Sequence, residues 1–254
     1  MTKSYLELLE ESLAHARGHK NYQNWKRYAL NAIDRGLVIK KIIANFVHVD
    51  DAKVLDVGCG DGGISIAFGR EKNSEIYSFD INRYKVYKSI ARAKEEKTSI
   101  NFLIADGLHL PFKPGSFDIA ICNDVIEHVP HPQQLVKETH WSLRTGGFLY
   151  VCVPNAISPY PIIRDGHYRL FGVSLLPHKI GEYYVTKIRK VSRVYDVYGP
   201  FNYWLIRGIL KDMFRLVDCY HEQQSRLGKL IKVIPNVVLR FLYPCINIIC
   251  EKKC

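Results

Sequence analysis

An α/β fold is expected here, a doubly wound and mostly parallel sheet with helices on both faces. Three observations predict it. Short apolar segments alternate with helical ones from Lys53 to Val153. A cluster of glycines follows the first strand. Four successive strands end in polar residues, at the sheet edge where open α/β sheets bind ligands. A chain of 254 residues is long enough for one large domain or two small ones to bury a sizeable core. With 47% hydrophobic and 24% charged residues the composition is that of a globular protein, which excludes intrinsic disorder.

Taken in order, residues 3–16 (Leu6, Leu9, Leu13) and 22–46 (Leu30, Ile33, Leu37, Ile42, Ile43) have helical apolar spacing. They predict an N-terminal helical cover over residues 1–49. Lys53–Val57 is a short apolar strand, followed by glycines and a helix over 62–71. Glu75–Phe79 is the second strand, with a helix near 83–96. Ile100–Ala105 is the third, and Phe117–Cys122 the fourth, with a helix near 132–144. Gly147–Val153 is the fifth, stopped by Pro154. Residues 154–200, rich in Pro, Gly, His and Tyr, break the rhythm and read as an irregular insertion. Insertions of that length inside a domain are usually lids or binding loops. A helix near 202–212, a strand Phe214–Tyr220, a helix over 225–242 and a last β-rich run, Cys245–Cys250, complete the pattern. There is no internal repeat and no low-complexity segment.

The net charge is +11, from 36 Lys and Arg against 25 Asp and Glu. Residues 164–254 hold 16 Lys and Arg against 7 Asp and Glu, so the excess is concentrated there. A basic C-terminal third suggests an anionic partner (phosphate, lipid headgroup or RNA); a merely soluble basic surface is the other reading. No uninterrupted apolar stretch of about 18 residues exists. The nearest, 230–250, is broken by Lys232, Pro235, Asn236, Arg240 and Pro244. The N-terminal residues lack the apolar core of a secretory signal, so a soluble, cytoplasmic protein is expected. The seven cysteines, Cys59, Cys122, Cys152, Cys219, Cys245, Cys250 and Cys254, show no C-x-x-C pair. They read as buried free thiols, and no metal site is expected.

The most informative stretch is Val54-Leu55-Asp56-Val57-Gly58-Cys59-Gly60-Asp61-Gly62-Gly63. Glycines let a ligand lie against the backbone, and the helix that follows offers free N–H groups. Gly58, Gly60 and Gly63 satisfy the dinucleotide spacing G-x-G-x-x-G, so an NAD site is a live reading. Asp56, inside the strand, is no part of that fingerprint and tilts the reading away from NAD. Asp80, closing the second strand, can accept two hydrogen bonds from a ribose diol. Asp106 ends the third strand and can receive an adenine amino group. The fourth ends in Asn123-Asp124-Val125-Ile126-Glu127-His128-Val129. The structural alternative for each of these residues is a helix N-cap.

As an ordered set, V-L-D-V-G-C-G-D-G-G (54–63), Asp80, A-D-G-L-H-L-P-F (105–112), S-F-D-I-A-I-C-N-D-V-I-E-H-V (116–129) and L-R-T-G-G-F-L-Y-V-C-V-P-N (143–155) resemble the class I S-adenosylmethionine-dependent methyltransferases. Within them, the chain resembles the small-molecule group that includes ubiquinone and menaquinone biosynthesis methyltransferases. The resemblance is strong over about 50–155 and weaker over 214–252. It implies a single domain over 1–254 with a seven-stranded sheet, the last strand antiparallel. Residues 50–155 would be the cofactor-binding core, 156–212 an acceptor-binding lid between the fifth and sixth strands, and 213–254 a closing strand–helix–strand. It also implies S-adenosylmethionine as cofactor. Gly58, Cys59, Gly60 and Gly62 would line its methionine part and ribose, with Asp56 positioning the loop. Asp80 would hold the ribose hydroxyls, Ile81 would flank the adenine, Asp106 would bind its amine, and Gly107 and Leu108 would lie beside the ring. Asn123 would sit near the sulfonium.

Methyl transfer from a sulfonium is an in-line displacement that needs alignment and exclusion of water, which contribute roughly 7–11 kcal/mol when geometry is held. A hydroxyl acceptor also needs a base. His128, His131, His167 and His178 are the candidates, since imidazole titrates near neutrality. In the related family the Glu-His-Val run is common whatever the acceptor, so a structural role for His128 stands beside the catalytic one. The insertion mixes cations and aromatics (Arg164, His167, Arg169, His178, Tyr183, Tyr184), which suits an anionic or ring-bearing acceptor. A surface pair Asp165–Arg169 and a packed Tyr/Phe cluster are the plainer readings. A small-molecule or lipid- or glycan-linked acceptor, methylated at oxygen, is the leading expectation. An RNA methyltransferase is the first rival, supported by charge and by Tyr195, Tyr198, Tyr203 and Trp204 interleaved with basic residues. It lacks the Asn/Asp-Pro-Pro-Tyr/Phe motif after the fourth strand. A non-catalytic nucleotide-binding scaffold and a Rossmann dehydrogenase are the others. The basic, apolar stretch Leu227–Leu242 admits peripheral membrane contact or an ordinary sheet-covering helix.

Overall fold

The sheet grows outward from strand β1 (Lys53–Val57), in which Val54, Leu55 and Val57 are all buried. A near-continuous apolar run is what a strand covered on both faces requires. In the computed structural model, which describes residues 3–18, 21–71, 73–220 and 243–253, β1 pairs in parallel with β2 (Glu75–Asp80). Strand β2 in turn pairs in parallel with β3 (Asn101–Ile104). With β4 (Phe117–Asn123), β5 (Leu143–Pro154), β6 (Phe214–Tyr220) and β7 (Cys245–Lys252), the order across the sheet is β3-β2-β1-β4-β5-β7-β6. The winding changes direction between β1 and β4, the crevice at which doubly wound sheets take their ligands. Strand β7 runs antiparallel to β6, Phe214 facing Lys252 and Cys219 facing Ile248. A seven-stranded sheet with an antiparallel last strand is thus present. The helix expected over 225–242 lies outside the described residues.

The chain divides into two compact units, residues 1–121 with 138–149, and residues 122–137 with 150–253. In the first, the cover is made of α1 (Tyr5–Ser12), α2 (Tyr22–Leu30) and α3 (Ala32–Ile43). Helix α1 starts with a capping box: the Glu7 N–H donates to the Ser4 hydroxyl at 3.2 Å, and the Ser4 N–H donates to the Glu7 carboxylate at 2.7 Å. The single helix expected over 22–46 is two helices, because Asn31 (ψ 10°) leaves the helical path between them. Helices α4 (Gly63–Gly69) and α5 (Arg83–Glu95) follow β1 and β2. Asn82 caps α5, accepting from the N–H groups of Tyr84 and Lys85. Arg92 of α5, only 5% exposed, donates to the carbonyls of Ala29 (2.9 Å) and Leu30 (2.8 Å) and lies over the Tyr5 ring. The carbonyls left open at the end of α2 are thereby met by a cation, and the cover is pinned to α5.

In the second unit, the segment after β5 is not irregular. It contains α7 (Pro159–Ile163), a 3-10 turn at Val173–Leu175 and α8 (His178–Tyr183), which continues as a π turn through Ile188. Helix α9 (Tyr203–Leu210) precedes β6, and α6 (Pro132–Ser142) follows β4. Helices α7 and α8 have only five and six residues, too few to show a period. They are held instead by a small core of Tyr168, Leu170, Val173, Val185 and Tyr195. The expected Asp165–Arg169 surface pair is absent. Asp165 is buried and accepts from the N–H groups of His167 (2.9 Å), Tyr168 (2.7 Å) and Leu170 (2.6 Å). It folds a turn rather than balancing a charge.

Of the cysteines with described side chains, Cys59, Cys122, Cys152 and Cys250 are buried and in the thiol form, and Cys245 is half-buried. Among the described residues no helix is long and apolar enough to cross a membrane.

Candidate active site

The first unit holds every residue singled out for the cofactor except Asn123. At the end of β1 the Cys59 N–H donates to the Phe79 carbonyl (2.8 Å) and the Gly62 N–H to the Cys59 carbonyl (2.8 Å). Gly58, Gly60 and Gly62 have φ of +68°, +55° and +71°, the left-handed region that glycine enters without strain. They differ in what surrounds them. A Cβ on Gly60 would meet nothing within 4 Å, so the loop is open on that side. A Cβ on Gly62 would stand 2.8 Å from Ser89, and one on Gly63 only 2.4 Å from the Ala32 carbonyl carbon. Gly63 therefore serves the close approach of α3 to α4, whereas Gly60 keeps a surface bare.

Asp56 lies under the loop, 2% exposed, and accepts from the Ser65 hydroxyl, which also meets Ser78. It ties β1 to the first turn of α4. Burial pushes its pKa up to about 6 against the opposing hydrogen bonds from Ser65. A folded-state value above the ordinary carboxylate value, about 3.9, stabilises the fold below about pH 4 and costs stability as pH rises through 6. Asp56→Asn is accordingly expected to shrink the fall in melting temperature between pH 5 and pH 8; an unchanged fall in calorimetry would show that other groups carry it.

Asp80 is 6% exposed. Its Oδ2 accepts from the Gly60 N–H (3.1 Å) and its Oδ1 from the Asn82 N–H (2.8 Å), while Lys85 Nζ lies 3.7 Å away. Those contacts hold the carboxylate in one orientation beside the bare loop. The next residue, Ile81, is 69% exposed. Asp106 accepts from the Leu108 N–H (2.9 Å) and lies 3.4 Å from His109 Nδ1, so it also shapes the turn carrying Gly107 and Leu108.

The second unit gathers a cluster at the end of β4. Asn123 Nδ2 donates to Asp124 (3.0 Å), and Asp124 itself has φ +54°, uncommon for a residue with a side chain. His128 Nδ1 lies 2.9 Å from the carbonyl oxygen of Asp196 and 3.4 Å from its carboxylate. Glu127 is 2% exposed, and neither carboxylate oxygen has a hydrogen-bond partner among the described residues. Its Oε1 is 4.0 Å from His128 Nε2. The His167 ring meets His128 edge to face, centroids 4.9 Å apart. Glu127, His128 and His167 bring nitrogen and carboxylate atoms within 4.8 Å of one another, close enough to share a proton or a cation. Glu127 and His167 face a cavity of about 40 Å³ walled by Tyr168, Val173, Tyr195 and Phe201, which admits a small polar group but not a whole ring.

Burial, then the Asp124 charge, push the Glu127 carboxyl upward. Burial opposes the charging of His128, but the Asp196 contacts and Glu127 outweigh it and raise its pKa to about 9. Burial and the neighbouring His128 lower that of His167. Three neighbouring titrating groups with pKa values driven apart suit proton transfer.

The chain thus brings His128 and His167 together and keeps His178 out of their contact. His178 Nδ1 donates to the Val197 carbonyl (2.8 Å) and its ring stacks on Tyr198, centroids 4.4 Å apart. His131 is exposed at the start of α6. Nor do the aromatics form one stacking platform: Tyr195 and Tyr203 are buried while Tyr183 and Trp204 are exposed. Sequence reasoning missed Asp196 and gave Glu127 no role of its own, while Tyr168 stood only among the insertion's aromatics. Asp196 stands 68 positions from the histidine it holds, and no local pattern marks it.

Residues 55–151 match the family described as a methyltransferase domain. The chain is 25% identical over 207 residues to the ubiquinone biosynthesis O-methyltransferase of Rickettsia prowazekii, covering 80% of this chain and 78% of that protein. It is 33% identical to the enzyme of the same name from Idiomarina loihiensis, but over 104 residues, 41% of this chain and 42% of the other. Among solved structures, a SAM-dependent methyltransferase from Methanosarcina mazei superposes with a TM-score of 0.61 at 19% identity, over 84% of this chain and 97% of that one.

Proposed function

We propose that the chain, whose residues 55–151 match a methyltransferase domain, is a class I S-adenosylmethionine-dependent methyltransferase that methylates a hydroxyl oxygen on a small-molecule or lipid- or glycan-linked acceptor, with His128 as base. The observation that carries this reading is Glu127: a buried carboxylate with no partner of its own, beside two histidines and a small cavity. An unpaired buried carboxylate is costly, and a hydroxyl donor from a ligand would meet it.

S-adenosylmethionine is the cofactor, and the first unit's residues fit a nucleoside of that kind. The bare side of Gly60 offers backbone that no Cβ obstructs, Asp80 is oriented beside it, and Ile81 exposes an apolar side chain for a ring to cover. We assign Gly58, Cys59, Gly60 and Gly62 to the methionine and ribose, Asp80 to the ribose hydroxyls, and Ile81, Asp106, Gly107 and Leu108 to the adenine. Asp56 holds the loop from beneath, and Asn123 belongs near the sulfonium. When bound, the cofactor supplies a methyl group on a positively charged sulfur, ready for displacement.

On the acceptor side, residues 156–212 shape the site. The acceptor hydroxyl presents its edge to the cavity. In its neutral form, which the raised pKa reserves for alkaline pH, His128 Nε2 would take the hydroxyl proton as the oxygen gains the methyl group that bound S-adenosylmethionine would supply, so turnover should climb toward pH 9. Glu127 steadies the resulting imidazolium, and His167 packs against its ring. General-base catalysis of this kind contributes about 10²–10⁴-fold. His178 is held by the Val197 carbonyl and the Tyr198 ring, outside the contact between His128 and His167.

The test supplies labelled S-adenosylmethionine with phenol, catechol, a benzoate, an aliphatic amine and transfer RNA in parallel. Methyl ether formation is expected, and His128→Gln should lower it at least about 100-fold while cofactor affinity by calorimetry stays within twofold. Label found only in the amine, the carboxylate or the RNA overturns the oxygen assignment. Turnover abolished by a chelator and restored by a divalent cation would show that the cluster holds a cation rather than moving a proton.

A further inference from the structure

We infer that Asp196 is the positioning residue of this enzyme: it sets which nitrogen of His128 is free to act and how readily that nitrogen takes a proton. The inference rests on His128 being the base proposed above, and goes beyond it by assigning the control to a residue distant in sequence.

The reasoning begins with a carbonyl. A carbonyl oxygen can only accept, so the 2.9 Å contact to the Asp196 main chain requires His128 Nδ1 to carry the hydrogen. The neutral ring is then the Nδ1–H tautomer, and Nε2 is left with its lone pair. The same residue's carboxylate stands 3.4 Å from Nδ1, so it also favours the imidazolium once Nε2 is protonated. One residue thereby fixes the tautomer through its main chain and the basicity through its side chain.

Asp196 is itself held. Tyr168 donates its hydroxyl to the carboxylate at 2.7 Å, and the Asp196 N–H donates back to that hydroxyl at 3.1 Å. Just after it in the chain, the Val197 carbonyl accepts from His178 and the Tyr198 N–H donates to the Glu127 carbonyl at 2.7 Å. Residues 194–198 therefore run as a strap across Glu127 and His128, and Tyr168, anchored in the small core, sets where the strap sits. The Asp196 side chain is 61% exposed, so the fold gains little by burying it; its contacts are with the histidine and the tyrosine. Among the described residues, Glu127, His167 and Asp196 lie against His128, with Asp124 beside Glu127, Asp165 beside His167 and Tyr168 on Asp196, and of these carboxylates Asp196 is the one at the Nδ1 edge.

The test reads His128 directly. Protein with ¹⁵N-labelled imidazoles is titrated by NMR, with His128→Gln used to identify the signal. Wild type is expected to show the Nδ1–H tautomer with a midpoint well above that of free imidazole. Asp196→Asn should keep the tautomer, because the main-chain carbonyl remains, and lower the midpoint by about one pH unit or more. Asp196→Glu should restore the midpoint, and Tyr168→Phe should lower it by a smaller amount. An Asp196→Asn midpoint equal to wild type, or a wild-type ring in the Nε2–H tautomer, overturns the inference. Failure of the underlying reading shows elsewhere: if catechol is methylated by His128→Gln at the wild-type rate, His128 is not the base, whatever the titration gives.

Discussion

Asp80→Ala is expected to raise the dissociation constant for S-adenosylmethionine by about 30- to 700-fold. Two charge-assisted hydrogen bonds to a ribose diol contribute about 1.5–3 kcal/mol each before the cost of ordering, so a net loss of about 2–4 kcal/mol is reasonable, at 1.4 kcal/mol per tenfold. The carboxylate does two jobs, since it also accepts from the Gly60 and Asn82 N–H groups. Asp80→Asn separates them. It retains one acceptor for the loop but loses the second charged oxygen, and its affinity should fall between those of wild type and Asp80→Ala. Calorimetric titration with the demethylated cofactor gives the same ranking without turnover. If both variants bind as wild type does, the ribose is not held by Asp80 and the assignment of the first unit's site fails.

Gly63→Ala is expected to destabilise the protein by about 3 kcal/mol, at the upper end of ordinary overpacking. The added Cβ would lie 2.4 Å from the carbonyl carbon of Ala32, and main chain cannot swing aside as a flexible side chain can. For a chain of this size that loss lowers the melting temperature by roughly 6–12 °C. Gly60→Ala is the comparison. Its Cβ meets no atom within 4 Å, so only the strain of φ +55° opposes it, about 1 kcal/mol. It should melt within a few degrees of wild type yet bind cofactor less well, because the methyl group occupies the bare surface. The two glycines, three positions apart, thus separate packing from binding in one scanning-calorimetry and titration experiment. Equal melting of wild type and Gly63→Ala would mean that α3 can shift away from α4.

The glycines of this stretch divide two tasks. Gly58, Gly60 and Gly62 turn the chain in the left-handed region, while Gly63 permits a helix contact. The third glycine of the dinucleotide-like spacing thus serves packing, and Asp56, which is no part of that fingerprint, lies beneath the loop bonded to Ser65.

The first unit was legible because its determinants are local. β1 and the loop after it, Asp80 at the end of β2, and the capped start of α5 each depend on residues a few positions apart. Strand periodicity, glycine conformations and caps act over that range. Strand Phe214–Tyr220 was equally readable. The same local logic failed in the segment after β5. Its helices are short, and they exist because Tyr168, Leu170, Val173, Val185 and Tyr195 close a core around them. Proline and glycine there looked like disorder of pattern and are instead helix starts and turns.

The amino-acid order alone therefore establishes an α/β sheet with a glycine loop after its first strand, since these are written in contiguous strand–loop–helix units. It does not establish which histidine acts. That choice depends on contacts between Asp196, Tyr168, Glu127, His128 and His167, drawn from segments up to 69 positions apart, and only chain closure brings a carbonyl to one imidazole nitrogen and leaves the other open.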